Sequence, residues 1–370
     1  MELAPYLKLL VEKTGSDLYF SPGAPVNIKI EGVTEPLGNT PIPPGGVKKL
    51  VYPVLSQAQI QQFEQELELD LAISIKEIGR FRLNLFRQRG EVAMVVRYIR
   101  SRIPDFAELQ LPESIPDLVL EPRGLILVIG TTGSGKSTTL AAMIQHRNQL
   151  RTGHILTIED PIEFVHSHKK SIVNQREVGL DTKSYASALK RAMREAPDVI
   201  LIGEIRDRET MEQAIAYSET GHLCLSTLHA GNAVQAFERM INFFTETAYD
   251  QLYMDMAMNI RAIIAQRLLQ GTDGKRVPAV EIMQTSPYIR ELIEKREIEK
   301  IHSAMEQNFD KGMQTFDQSL YSLYKQGKIS MEEALNNADS RNNLSLRIRL
   351  DEGGVLDSPG ELHIEDEDSL

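Results

Sequence analysis

The 370-residue sequence has no tryptophan, a single cysteine and no apolar run long enough to cross a bilayer. Its longest apolar stretches have the size of "LILVI", whereas a membrane-spanning helix needs roughly 20 such residues. One cysteine, Cys224, excludes an internal disulfide and a four-cysteine zinc module, and fits a small buried residue. The N-terminus lacks a basic head before its apolar positions, so we expect no secretory signal, no membrane insertion and a cytoplasmic protein.

The sequence also lacks an excess of basic charge. Its formal net charge is -11, but the last twenty residues hold eight Asp or Glu and no Lys or Arg. The preceding 350 residues therefore carry about -3, from -11 plus 8. An acidic segment with so few apolar groups predicts a disordered, solvated tail over residues 351–370, with a specific docking tail as the alternative.

The first hundred residues predict a small α+β domain. Leu7, Leu10 and Val11 share one face of a helix over residues 3–13, and "LSQAQIQQFEQELE" predicts a second helix. Between and after them, short segments alternate apolar and polar residues, which is typical of strands: "DLYF", "VNIKIEG", "LAISIKEIGRFRLNLFRQRG" and "VAMVVRYI". A segment rich in proline and acidic residues, 101–122, then predicts a linker.

From residue 123 the pattern changes to apolar strands separated by helices. The predicted strands are "GLILVIG", "HILTIED", "VILIGE" and "LCLSTLHA", and the helices start at Lys136, Ser184 and Arg208. Such alternation indicates an α/β fold with a mostly parallel sheet covered by helices. Residues 246–350 are predicted to be mainly helical, so that one domain extends over 123–350.

A glycine-rich motif follows the first of these strands. Residues 130–137, "GTTGSGKS", fit G-x-x-x-x-G-K-[ST] between a strand and a helix. The glycines let backbone N–H groups surround a phosphate, and the helix N-terminus attracts the same anion. Lys136 is expected to reach the β and γ phosphates of ATP, and Ser137 to bind Mg²⁺. The predicted nucleotide-binding residues are Gly130, Thr131, Thr132, Gly133, Ser134, Gly135, Lys136, Ser137 and Thr138.

Acidic residues at two later strand ends suggest hydrolysis. "DVILIGEIRD" ends an apolar strand with Glu204, which we expect to hold Mg²⁺ or its water, although Gly203 intervenes between the strand and the acid. "TIEDPIEF" ends another strand with Glu159, Asp160 and Glu163. A carboxylate there can orient or deprotonate the attacking water. We take Glu163 as the first candidate for this base, with Glu159 and Asp160 left open.

Two histidines, His222 and His229, bracket the strand in "TGHLCLSTLHA". Their place in a nucleotide-binding sheet makes one of them a candidate sensor of the γ phosphate, His229 first. The alternative for each is an ordinary satisfied polar residue. His166 and His168, in "VHSHKK", lack partners with metal-ligand spacing, so we expect a solvated loop there.

Five sequence blocks together resemble the type II/IV secretion ATPase superfamily, and within it the PilT/PilU pilus retraction ATPases. The blocks are the P-loop, "ILTIEDPIEFVH", "VNQREVGLDT", "PDVILIGEIRDRET" and "TGHLCLSTLHA". In that family they are the Walker A, Asp box, linking segment, Walker B and His box of a RecA-like domain. The resemblance implies a PAS-like domain over residues 1–100 and a homohexameric ring at the inner-membrane base of the type IV pilus.

Within this family the chain looks more like the PilU-type accessory motors than PilT. The "AIRNLIRE" signature of PilT is only partly present in "SPYIRELIEKRE", and the four-cysteine insert of extension motors is absent. The resemblance therefore implies twitching motility, with a PilT-type ATPase and a membrane platform protein as partners. It also implies an arginine of the first domain beside the γ phosphate, with Arg97 as the first candidate and Arg82 as the second.

Two other functions fit parts of the sequence. RecA-like rings also move nucleic acid, but the slightly acidic body and the lack of a basic, aromatic-rich stripe argue against a nucleic-acid partner. A subunit that binds nucleotide with little turnover is the second alternative. The presence of Lys136, Glu163, Glu204 and His229 favours an active ATPase over it.

Overall fold

A computed structural model describes residues 2–30, 32–76, 78–100, 102–308 and 312–351. Within these ranges, no helix is both long and apolar enough to span a bilayer. The predicted acidic tail lies outside the described residues, apart from Asp351.

The chain packs into two compact units, each built from separate stretches of sequence. Of the described residues, the first unit contains those within Met1–Glu108, Ile115–Leu125 and Ser137–Thr227, and the second contains those within Leu109–Ser114, Ile126–Lys136 and Leu228–Leu370. This grouping by packing differs from the predicted domain boundaries, which stay a prediction.

The N-terminal part of the first unit is an antiparallel sheet with three helices. The strands are β1 (Asp17–Phe20), β2 (Asn27–Ile30), β3 (Val33–Pro36), β4 (Glu68–Ile75), β5 (Gly79–Gln88) and β6 (Glu91–Ile99). Their order is β3-β2-β1-β6-β5-β4. The helices are α1 (Ala4–Glu12), α2 (Gly46–Val51) and α3 (Gln57–Glu66). Both helices predicted here are confirmed.

Strand β5 shows how the sequence alternation sorts side chains between the two faces of this sheet. Phe81, Leu83 and Leu85 are buried in the core, whereas Arg80 and Arg82 lie on the opposite face. Helix α3 begins with a capping box, in which Ser56 and Gln59 each bond the other's backbone N–H. The core is completed by aliphatic and aromatic side chains from the helices, including Leu7, Leu10 and Phe63.

The next helices and strands alternate along the chain, except that two strands, β8 and β9, follow one another directly. They are α4 (Ile115–Leu118), β7 (Gly124–Ile129), α5 (Lys136–Leu150), β8 (Gly153–Glu159), β9 (Ser171–Glu177), α6 (Tyr185–Ala192), β10 (Val199–Ile202), α7 (Arg208–Glu219) and β11 (Leu223–Leu228). Strands β9, β8, β10 and β11 pair in parallel. Every residue of β10 and β11 is buried, including Cys224, as expected for parallel strands covered on both faces. The α/β prediction is confirmed.

The second unit contains a long antiparallel hairpin and most of the C-terminal helices. Its elements are α8 (Ala233–Ile241), α9 (Tyr249–Asn259), β12 (Ile260–Gln270), β13 (Arg276–Gln284), α10 (Pro287–Glu294), α11 (Ile301–Glu306), α12 (Phe316–Lys325), α13 (Met331–Asn336) and α14 (Arg341–Asp351). The larger sheet has the strand order β13-β12-β7-β11-β10-β8-β9. Residues 246–350 were predicted to be mainly helical, and strands β12 and β13 are missing from that prediction.

Candidate functional site

The glycine-rich loop has the backbone that its sequence predicts. Gly130, Gly133 and Gly135 have φ values of +149°, +80° and +96°, which side-chain-bearing residues rarely adopt. A Cβ on Gly130 would lie 2.5 Å from the backbone carbonyl oxygen of Gln266, and one on Gly135 would lie 2.8 Å from its side-chain amide nitrogen. The loop therefore packs so tightly against β12 that only glycine fits at these two positions.

Lys136 folds its side chain back over this loop. Its Nζ donates hydrogen bonds to the carbonyl oxygens of Gly130 and Thr131, both at 2.9 Å. Thr131, Thr132 and Gly133 at the turn of the loop are exposed. The loop thus offers an ammonium group and exposed backbone beside the start of α5, which is the set of donors that a nucleotide phosphate requires.

The residues around the loop differ in accessibility. Ser134 is buried, and its Oγ has no hydrogen-bond partner among the described residues. Ser137 and Thr138, in the first turn of α5, are half-buried.

Within the described ranges, no cluster of three or more His, Cys, Asp or Glu side chains could hold a metal ion. Ser137 and Glu204 therefore stay predicted Mg²⁺ ligands.

The carboxylates of the "TIEDPIEF" segment differ in their surroundings. Glu159 Oε1 accepts hydrogen bonds from Thr157 Oγ1 at 2.6 Å and Gln175 Nε2 at 3.2 Å. Burial raises the pKa of Glu159 to about 7, against the opposing effect of these two bonds. Glu163, in contrast, is exposed. Of the two, Glu163 is the carboxylate more accessible to a water molecule.

Glu204 lies two residues beyond the end of β10. Its Oε2 accepts a hydrogen bond from Arg206 Nε at 2.8 Å, and Arg206 also lies 3.5 Å from Asp160. A Cβ on the intervening Gly203 would lie 2.6 Å from the Tyr185 hydroxyl. The glycine that separates this acid from its strand therefore makes room for Tyr185.

The two predicted histidines lie at opposite ends of β11. His222 precedes the strand, and its Nδ1 lies 3.0 Å from Thr220 Oγ1 and 3.1 Å from the Tyr217 carbonyl oxygen. His229 follows the strand and is exposed. Glu159 is the last residue of β8 and Glu204 follows β10, and both strands belong to the parallel set that includes β11. The fold therefore does not bring His222 together with these carboxylates, and its catalytic role stays a prediction.

The solvated-loop prediction for residues 166–168 is wrong for one of the two histidines. His166 is buried, and burial lowers its pKa to about 4. His168 Nδ1 accepts a hydrogen bond from the backbone N–H of Val173 at 3.1 Å. These contacts fold the polar segment onto β9, which its composition did not indicate.

The two candidate arginines have different partners within the first unit. Arg97 Nε donates to the buried Asp17 at 2.8 Å, and about two thirds of the Arg97 side chain is exposed. Arg82 lies 3.5 Å from Asp70 and 3.8 Å from Glu177. Sequence reasoning did not single out Glu177, because its partner Arg82 lies far from it along the chain.

A further buried carboxylate, Glu281, contacts the start of the helix that follows the His229 loop. Glu281 of β13 accepts a hydrogen bond at 2.7 Å from the N–H of Ala233, the first residue of α8. Burial raises the pKa of Glu281 to about 7, whereas this hydrogen bond and the charge of Arg267 lower it. Glu281 therefore binds its proton more tightly in the folded protein than in the unfolded chain.

This shift predicts a pH-dependent stability. The usual pKa of a glutamate is 4.5, and that of Glu281 is about 7. Between these two pH values the folded state holds more protons than the unfolded state, so the free energy of unfolding falls as pH rises. The loss attributable to Glu281 is up to about 3 kcal/mol. Urea unfolding from pH 5 to 8 should show a smaller fall in the free energy of unfolding for Glu281→Gln than for the wild type. The exposed Glu294→Gln serves as control. Identical pH profiles for Glu281→Gln and wild type would contradict the assignment.

The fold and the P-loop define a nucleotide-binding α/β protein, and comparisons identify its family. The chain belongs to the type II/IV secretion system protein family, whose model matches residues 57–336. It is 49% identical over 351 residues to the type IV pilus ATPase PilU of Pseudomonas aeruginosa, covering 95% of this chain and 92% of PilU. It is 39% identical over 338 residues to PilT of the same organism, covering 91% of this chain and 98% of PilT.

A solved structure extends the likeness to the fold. The crystal structure of the pilus retraction motor PilT with bound ADP matches with a TM-score of 0.88 and 42% identity, covering 94% of this chain and 99% of PilT. The predicted resemblance to the PilT/PilU family of type IV pilus retraction ATPases is confirmed, as is the fold class.

Proposed function

We propose that this chain is a motor that uses ATP hydrolysis to power type IV pilus retraction, and hence twitching motility, as an accessory beside PilT. The observation that carries the proposal is the glycine-rich loop, with Lys136 folded over its carbonyl groups at the start of α5. Support also comes from the relatives, since PilU is named a type IV pilus ATPase and the PilT crystal structure contains ADP.

In the proposed mechanism, the loop residues Gly130 to Thr138 bind ATP, and Lys136 neutralises its β and γ phosphates. Ser137 and Glu204 would hold Mg²⁺ or its water, and the bound ion would supply positive charge against the phosphates. Glu163 orients and deprotonates the water that attacks the γ phosphorus, so that ATP and water give ADP and phosphate. His229 senses the γ phosphate, and Arg97 supplies positive charge beside it.

The proposed motor is a homohexamer. Arg97 lies in the N-terminal sheet, so it can act on a nucleotide only if that sheet approaches one, in the same chain or in a neighbour. We predict that light scattering of the purified protein with Mg·ATP gives the mass of six chains, about 250 kDa from 41.6 kDa each. ATP should increase the hexamer fraction by mass action. A monomer at high concentration with nucleotide would contradict this assembly.

The proposed location is the cytoplasmic face of the inner membrane at the pilus base. There a PilT-type ATPase and a platform protein would be its partners.

Residues 351–370 carry about eight negative charges. Their attraction to a basic surface, which salt screens, can raise the rate of encounter with a partner. We predict that deleting this segment leaves ATP turnover unchanged and weakens pull-down of a partner at low salt more than at high salt. Equal affinities of the full-length and 1–350 proteins at both salt concentrations would exclude a binding role.

ATP turnover by the purified protein, measured with and without DNA, tests the proposed function. The proposal predicts turnover that DNA leaves unchanged. Strong stimulation by DNA would indicate a nucleic-acid motor. Nucleotide binding without turnover would indicate a structural subunit.

A further inference from the structure

The segment that follows His229 is held by two side chains of the hairpin β12–β13. Arg267 of β12 donates from Nη2 to the carbonyl oxygen of Gly231 at 3.4 Å. Glu281 of β13 accepts the N–H of Ala233 at 2.7 Å. The backbone that connects His229 to helix α8 is therefore attached to the hairpin at two points, both close to His229 in the sequence.

The same segment is also fixed to the first turn of α8. Asn232 caps this helix, since its side-chain oxygen accepts the N–H of Gln235 at 3.0 Å. The N–H of Gly231 donates to Gln235 Oε1 at 3.0 Å, and a Cβ on Gly231 would lie 2.6 Å from this oxygen. The cap sets the direction of the segment relative to α8, and the hairpin contacts set its distance from the sheet.

Arg267 is itself fixed by the C-terminal helices. Its guanidinium lies 3.8 Å from the ring centre of Phe316, the first residue of α12. Nη1 donates to the carbonyl oxygen of Asn337 at 2.6 Å, and Nη2 donates to Asp339 Oδ1 at 2.7 Å. A planar guanidinium that is stacked on one face and bonded along its edge has little freedom to move. Arg267 therefore holds Gly231 from a defined position.

The loop between α13 and α14 shares this anchor. Asp317 of α12 accepts the N–H groups of Asp339 and Ser340, at 2.8 Å and 3.0 Å. The loop is thus fixed to α12, and its residues 337 and 339 bind Arg267. One guanidinium therefore joins the loop between α13 and α14 to the segment after His229.

Arg267 and Glu281 also depend on each other. Glu281 lies opposite Ala265 and Arg267 lies opposite Ala279, so the two charged residues are diagonal neighbours on one face of the hairpin. Glu281 is only 1% exposed, and a buried carboxyl group is costly without hydrogen bonds and nearby positive charge. The whole cluster lies in the second unit, as do His229 and the P-loop.

We propose that Arg267 and Glu281 are positioning residues that direct the His229 loop towards the γ phosphate, and that Arg267 makes this placement depend on the loop between α13 and α14. Both act through the backbone at Gly231 and Ala233. A change in the loop between α13 and α14 then alters turnover while the P-loop stays unchanged. This inference rests on the proposed function, because it takes His229 as the sensor of the γ phosphate.

The first test separates turnover from nucleotide affinity. Arg267→Gln should lower kcat about 10-fold and keep ADP affinity within about two-fold, since ADP has no γ phosphate for His229 to sense. Glu281→Leu removes the acceptor of the Ala233 N–H and should give the same pattern. Glu281→Gln also removes the charge but keeps an acceptor oxygen, so it should retain most of the turnover.

The second test asks whether Arg267 acts through His229. His229→Ala should itself lower kcat about 10-fold or more. In this background Arg267→Gln should cause no further loss, because the residue that it positions is gone. A general structural defect would instead add its loss in both backgrounds, and that result would overturn the proposal.

The third test concerns the loop between α13 and α14. Asp339→Ala removes one of the partners that fix Arg267 and should lower kcat about two- to five-fold. It should have no additional effect when Arg267 is already replaced by glutamine. Normal turnover in Asp339→Ala would refute the link between this loop and His229.

A matched control and an exchange measurement keep these tests independent of folding. Arg296 also lies over an aromatic ring, that of Tyr253 at 5.2 Å, and also pairs with a carboxylate, that of Asp250. Arg296→Gln should leave kcat unchanged. Amide exchange of peptides that cover residues 229–233 should be faster in Arg267→Gln than in Arg296→Gln, and equal exchange would overturn the proposal. If Glu281→Leu does not fold, Arg267→Gln and this exchange measurement decide.

Failure of the proposed function gives a different result. In that case the wild type lacks turnover or Lys136→Ala retains it, and amide exchange over residues 229–233 still shows whether Arg267 holds the segment. Normal turnover in His229→Ala would overturn the sensor role and this inference together. If Lys136→Ala and His229→Ala both lose turnover while Arg267→Gln keeps a normal kcat, only the positioning role of Arg267 is refuted.

Discussion

Replacing Lys136 by alanine is expected to lower ATP turnover by about 100-fold or more and to weaken nucleotide binding. The ammonium group is the positive charge that the loop offers to the β and γ phosphates, and it lies 2.9 Å from two loop carbonyl groups. Its removal leaves the phosphates without this compensation, in the ground state and in the transition state alike. Turnover and equilibrium binding of a fluorescent ATP analogue measure the two effects separately.

A matched control for this variant is Lys8→Ala. Lys8 is an exposed lysine of α1, paired only loosely with Glu12 at 3.7 Å. Its replacement should change neither turnover nor binding. If Lys136→Ala hydrolyses ATP at the wild-type rate, the loop is not the site of hydrolysis.

The second large effect is expected for Glu163→Gln. The substitution preserves the shape of the side chain and removes its ability to accept a proton, so ATP binding should be near normal while turnover falls about 100-fold or more. Glu159→Gln should have a much smaller effect on turnover. Glu159 is already held by Thr157 and Gln175, and burial raises its pKa to about 7.

The comparison between these two variants decides which acid activates water. Normal turnover in Glu163→Gln together with lost turnover in Glu159→Gln would assign the role to Glu159. Thermal unfolding of both variants separates this outcome from a loss of folded protein.

The P-loop was predictable because its chemistry is local. Three glycines, a lysine and the start of a helix lie within eight residues, and the structure confirms the unusual φ values at Gly130, Gly133 and Gly135. The parallel strands were predictable for a related reason. Strands such as β10 and β11 are buried on both faces, so they form short continuous apolar runs in the sequence.

The hairpin β12–β13 was missed although the turn sequence "GTDG", residues 271–274, separates its two strands. Helix α9 ends at Asn259 and β12 begins at Ile260, without a glycine or proline between them. The segment therefore has no local signal for the change from helix to strand. Strand β9 was missed because the polarity of its residues does not follow their burial: Ser171 and Glu177 are buried, whereas Ile172 is exposed.

The contacts that sequence reasoning missed join distant parts of the sequence. Gln266 shapes the P-loop from β12, and Glu177 joins Arg82 to Ile162. Neither residue belongs to a spaced motif with its partner. Only the pairing of strands and the burial of a carboxylate bring these groups together.

The most direct test of the proposed motor is ATP hydrolysis by the purified full-length protein, alone and mixed with a PilT-type ATPase, in parallel with its mass by light scattering. For an active motor we expect Mg²⁺-dependent turnover by the protein alone, carried by hexamers and abolished by Glu163→Gln. Tight nucleotide binding with no turnover, alone or in the mixture, would contradict it.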